Sequence, residues 1–85
     1  MKSFTFVIQD PQGIHARPAG MLAKTAAAYQ SDITIATPNG TADAKRLMAI
    51  MRLAAKAGME ITISCAGADE DAAAAGMEQF LKDNL

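Results

Sequence analysis

Residues 10–20 read Asp10-Pro11-Gln12-Gly13-Ile14-His15-Ala16-Arg17-Pro18-Ala19-Gly20, and a turn becomes a helix inside them. Pro11 fixes its φ and Gly13 tolerates a positive one, so residues 10–13 carry turn chemistry. Residues 16–29 then read as a helix, rich in Ala, with Met21 and Leu22. Pro18 falls in its first turn, where a missing N–H leaves nothing unpaired, because those donors have no intrahelical partner. Gly20 lowers helix propensity and allows another surface to approach closely. Upstream, Phe4, Phe6 and Ile8 alternate with Ser3, Thr5 and Val7, the period-two pattern of a half-buried strand over residues 2–8.

Downstream, Ile33 and Ile35 alternate with Asp32, Thr34 and Ala36, which predicts a second strand. Pro38-Asn39-Gly40 is a tight-turn signal, and residues 40–44 return from it as a short third strand. Ile50, Leu53, Ala54 and Ala57 follow the i, i+3, i+4, i+7 spacing of a buried helical face, so a second helix is expected over 46–57, stopped by Gly58. Ile61, Ile63 and Cys65 alternate with Thr62 and Ser64 as a fourth strand, which Gly67 ends. Asp69-Glu70-Asp71 opens the last helix with acids at its positive end, and Ala73, Met77, Phe80 and Leu81 give it a buried stripe. Four strands with the helices on one face make an α+β two-layer sandwich, a single domain over residues 1–85.

Composition limits what this domain can do. Of 85 residues, 51% are apolar, but 19 of those 43 are Ala, which leaves 24 larger apolar side chains for one thin core. With no Trp, the core must rest on Ile, Leu, Met and three Phe. A large buried pocket and a multi-domain enzyme are excluded. One His and one Cys argue against a metal cluster, and Cys65 reads as a small core residue. Formal net charge is −1, which favours neither nucleic acid nor membrane. Residues 1–59 nonetheless carry seven Lys/Arg against three Asp/Glu, and residues 60–85 one against six. A basic face that steers acidic partners is therefore expected. No charged leader precedes an apolar stretch and no apolar run approaches the length of a membrane span, so a soluble cytoplasmic protein is expected.

The chemistry gathers at His15. Free amide N–H groups converge at the mouth of the helix, and its dipole favours an anion. Arg17 adds a permanent planar donor for phosphate oxygens. One ring nitrogen there can accept a phosphoryl group and give it up again. Read from residue chemistry alone, a loop histidine of no consequence fits the same letters.

Gly13 to Gly20 resembles the active-site signature of the HPr family, the histidine phosphocarriers of the bacterial sugar phosphotransferase system: Gly, an aliphatic residue, His, any residue, Arg, Pro, then small residues. Length, element order and the position of His15 extend the resemblance over the whole chain. It implies an open-faced β-sandwich, with an antiparallel four-stranded sheet in the order 1-4-2-3 and three helices on one face. It implies that His15 takes phosphate on Nδ1 from phospho-enzyme I and passes it to IIA domains of sugar permeases. Arg17 would bind or guide the phosphate, and the backbone N–H groups of Ala16 and Arg17 would hold its oxygens. The carrier would be monomeric and stoichiometric, not a stand-alone enzyme, and would use no metal or cofactor of its own.

The resemblance also implies an apolar patch ringed by basic side chains as the partner surface. With Ile50, Leu53 and Ala54 facing inward, Leu47, Met48 and Met51 fall at least partly outward near the His15 end, and Gly20 allows another surface to approach closely. Arg17, Lys24, Lys45, Arg46 and Arg52 supply the ring. Met adapts to unlike partners, although core placement fits the helical spacing of Met48 and Met51 equally well. Many relatives carry a regulatory serine where this chain has Arg46, so that kinase switch is expected to be absent. A carrier of the parallel regulatory (nitrogen-type) chain, a binding-only paralogue and an unrelated small α+β binding domain are the competing readings. Retention of His15 without the serine disfavours the binding-only form.

Overall fold

The computed structural model describes residues 1–85. The elements run β1 Lys2–Val7, α1 Ala16–Ala27, β2 Asp32–Thr37, β3 Gly40–Asp43, α2 Leu47–Arg52, β4 Glu60–Ala66 and α3 Glu70–Asn84. The four strands form one antiparallel sheet in the order β1-β4-β2-β3. Register follows the alternation: Phe4 faces Ile63, Ile63 faces Ile35, and Ile35 faces Ala42, so one row of apolar side chains crosses the sheet. The neighbouring row is Ser3, Ser64, Thr34 and Asp43, which stays polar on the open face.

The core is aliphatic. Ile8, Ile33, Ile35, Ile50, Ile61 and Ile63 are fully buried with Leu22, Leu81, Met77 and Cys65. The expected phenylalanine contribution is smaller than the composition suggested. Phe4, Phe6 and Phe80 pack against this core but are only partly buried; Phe4 and Phe6 lie on β1, an edge strand packed by α3. Of the methionines, only Met77 is fully buried. No helix is long and apolar enough to cross a membrane.

The second helix departs most from expectation. The predicted span 46–57 shrinks to Leu47–Arg52, with Arg46 at its N-cap and Leu53 at its C-cap. Ala54 takes a positive φ of 49°, which ends the helix four residues before Gly58. Consequently Ala54 and Ala57 are exposed, and Ala55 is buried in their place. Gly58, at φ 87°, serves a turn instead: its N–H donates to the Ile8 carbonyl at 2.8 Å. The first helix also stops earlier than expected, at Ala27.

Candidate functional site

The shortened second helix has a purpose at His15. Ending α2 at Leu53 lets residues 54–56 run alongside Gly13 and Ile14. The Ile14 N–H donates to the Ala55 carbonyl at 2.9 Å, and Ile14 itself is buried. Gly13 sits at φ 68°, and any Cβ there would overlap the Ala55 carbonyl oxygen and come within 2.7 Å of Lys56 Cα. Only glycine fits both the conformation and the contact. Beyond His15, Pro18 and Ala19 are buried, and the Ala19 N–H donates to the His15 carbonyl at 2.9 Å. The histidine backbone is thus anchored on both sides.

His15 is the N-cap of α1 with extended φ/ψ (−102°, −173°), and its imidazole does not cap the helix. The half-buried ring is therefore free for other work. Behind it, the N–H groups of Ala16 and Arg17 have no acceptor in the chain, and Pro18 has no N–H to offer. The two free donors and the exposed Arg17 side chain sit at the start of the same helix, directly after His15. A shallow cavity of about 250 Å³ is lined there by Asp10, His15, Arg17, Pro18, Met21 and Asn84. The structure thus joins His15 and Arg17, as the sequence proposed. It adds Asp10 and Asn84, which nothing in the local spacing had linked to them. Asn84 ends α3, and only the tertiary fold brings that end to the start of α1.

The proposed partner residues lie on α1, on α2 and in the two positions just before α2, and the two helices pack together. Leu47, Met48 and Met51 are exposed, Met48 by 63%, so the core alternative for these methionines does not hold. Met21, which sequence reasoning passed over, is exposed on α1 in the same way. Gly20 is half-buried, and a Cβ built there meets nothing within 4 Å, so no contact inside the chain requires glycine. Arg17, Lys24, Arg46 and Arg52 are exposed. Lys45 is partly drawn in: its ammonium donates to the Tyr29 carbonyl at 2.9 Å, just past the end of α1. None of these five cations joins an ion pair, because the pairs present are Met1–Glu70, Lys2–Asp71 and Lys82–Glu78. A larger groove of about 700 Å³ runs beside β3 and takes in Lys45, Arg46, Leu47, Met48 and Arg52. It holds no imidazole; the one histidine of the chain lines the smaller cavity.

The family model described as "PTS HPr component phosphorylation site" matches residues 2–83. The chain belongs to the HPr family. The phosphocarrier protein HPr of Mycoplasma capricolum is 41% identical over 83 residues, covering 98% of this chain and 93% of that protein. A solved histidine-containing phosphocarrier protein of Mycoplasma superposes with a TM-score of 0.93 at 40% identity, covering 96% of this chain and 93% of that one. HPr from Thermoanaerobacter tengcongensis superposes at 0.92 with 32% identity, covering 98% and 93%. The open-faced architecture and the 1-4-2-3 sheet are those of HPr structures. Membership makes the chain an HPr phosphocarrier of the phosphotransferase system, which works with partner proteins of that system.

Proposed function

We propose that His15 accepts a phosphoryl group on Nδ1 from phospho-enzyme I and passes it to IIA domains of sugar permeases, in the cytoplasm, as a monomer of one domain. The observation that carries the reading is the placement of an uncapped His15 ring beside two free helix-end N–H donors and the Arg17 guanidinium. The Ala16 and Arg17 N–H groups hold phosphate oxygens, and Arg17 adds a charged, planar donor. Partners dock over Gly20, Lys24, Lys45, Arg46, Leu47, Met48, Met51 and Arg52. An interface of exposed thioethers and unpaired cations, with modest apolar area, suits a partner that must leave quickly.

The test is direct. Incubation with phosphoenolpyruvate, Mg²⁺ and enzyme I should place one acid-labile phosphoryl group on the chain, and His15→Ala should abolish it. Full phosphorylation of the Ala variant would sink the assignment.

A further inference from the structure

The cavity beside His15 is chemically mixed. Arg17 lines it with a cation and a free N–H near the start of α1. Asp10 lines it with a carboxylate, and Asn84 lies at the C-terminal end of α3, where the dipole is negative. Asp10 is held in place from three directions. Its N–H donates to the Leu85 carbonyl at 2.8 Å, its carbonyl accepts the Gly13 N–H at 2.9 Å, and its Oδ1 accepts the Gln12 N–H at 2.8 Å. It forms no ion pair with Arg17 or any other cation. A carboxylate fixed in an anion site and left without a cation carries an uncompensated negative charge toward whatever anion enters.

We infer that Asp10 sets how readily the phosphoryl group leaves His15: its charge opposes the phosphate and keeps the group transferable. The inference rests on the phosphocarrier reading. In the loading step the phosphorus–nitrogen bond of a donor phosphohistidine breaks as a bond to the His15 ring nitrogen forms. The donor nitrogen recovers its electron pair, and onward transfer repeats the exchange. A wholly positive cavity would stabilise the loaded form and hinder its discharge. Asp10 raises the energy of the loaded form without touching the free one, so the carrier sits nearer balance between donor and acceptor.

Asp10→Asn tests this cleanly, because the amide oxygen still accepts the Gln12 N–H and preserves the turn. The measurement is the equilibrium ratio of loaded to free carrier, set against an enzyme I phosphohistidine donor at low and high salt, with Asp10→Glu as control. The ratio should rise about three- to tenfold in Asp10→Asn at low salt. That gain should shrink toward one near 1 M salt, where the screening length falls to about 3 Å. Asp10→Glu should stay near wild type. An unchanged ratio in Asp10→Asn, or a change indifferent to salt, overturns the inference while wild-type loading upholds the phosphocarrier reading. Failure of the wild type to load overturns both.

Discussion

Asp69 and the buried Ser31 are joined twice, since one Asp69 oxygen accepts both the amide and the hydroxyl of Ser31. The other oxygen accepts the Gln30 N–H at 2.8 Å. Asp69 stands at the N-cap of α3 but does not cap it; its carboxylate ties the loop after α1 to the loop after β4. Gly67 passes so close that a Cβ would lie 2.8 Å from Ser31 Cα. These hydrogen bonds, the Ser31 hydroxyl first and the Gln30 amide next, hold the Asp69 carboxyl below its ordinary range. Its folded value lies below its unfolded value, so its stabilisation is complete above the unfolded value and is lost as pH falls through the folded one. Melting temperature should therefore drop as pH falls below about 4. Asp69→Asn should lower stability at pH 7 and flatten that acid limb. Glu70, held low chiefly by its hydrogen bond from the amino terminus, should leave some acid sensitivity behind.

Ala54 is a non-glycine residue held at φ 49°. A left-handed conformation costs an alanine about 1–2 kcal/mol, and glycine returns part of that gain through its looser unfolded chain. Ala54→Gly should therefore raise unfolding free energy by about 0.5–1 kcal/mol. Urea titration measures it, and an unchanged midpoint would show that the strain is absorbed elsewhere.

Gly13 and Gly20 should respond to alanine with opposite signs. At Gly13 the φ is 68° and the backbone of Ala55 and Lys56 blocks a methyl group, so Gly13→Ala should cost roughly 1–3 kcal/mol and slow phosphoryl transfer. At Gly20 the space is open, and Gly20→Ala should gain about 0.5–1 kcal/mol from helix propensity. Retarded transfer by a stabilised Gly20→Ala would mark that surface as one a partner needs to approach closely.

Met48 and Ile63 separate docking from folding. Met48 is 63% exposed and Ile63 is fully buried. Met48→Asp should change stability by less than about 0.5 kcal/mol yet weaken association with enzyme I at least about tenfold. Ile63→Ala should cost roughly 2–5 kcal/mol with little effect on affinity in the molecules that remain folded. Thermal melts alongside binding isotherms distinguish the two.

The element order was legible because the alternations of β1, β2 and β4 and the helical stripe of α3 are local patterns. His15 and Arg17 were legible because cap, dipole and guanidinium fall within a few residues. The end of α2 was not, because Ala54 has good helix propensity and nothing in its side chain signals a left-handed turn. That turn is imposed by the need to bring Ala55 alongside Ile14. Asp10 was read only as a turn residue and Asn84 not at all for a related reason: they come from opposite ends of the chain, and only the packing of α3 against α1 and β1 makes them neighbours. Sheet order also lay beyond the local pattern and came from family resemblance.

Cys65 gives the molecule its own unfolding clock. It is fully buried in β4, and β1 and β2 hydrogen-bond to either side of that strand. Burial also pushes its thiol above the ordinary range, with Asp69 and Glu70 adding to the shift, so the reactive thiolate is scarce until the core opens. A thiol reagent can therefore label the chain only during openings that uncover the core face of β4, and the labelling rate counts them. Because there is only one sulfhydryl, every labelled molecule records a single kind of event. Comparing that rate before and after phosphorylation would report, without any added probe, how far charging a helix end steadies a sheet on the other side of the core.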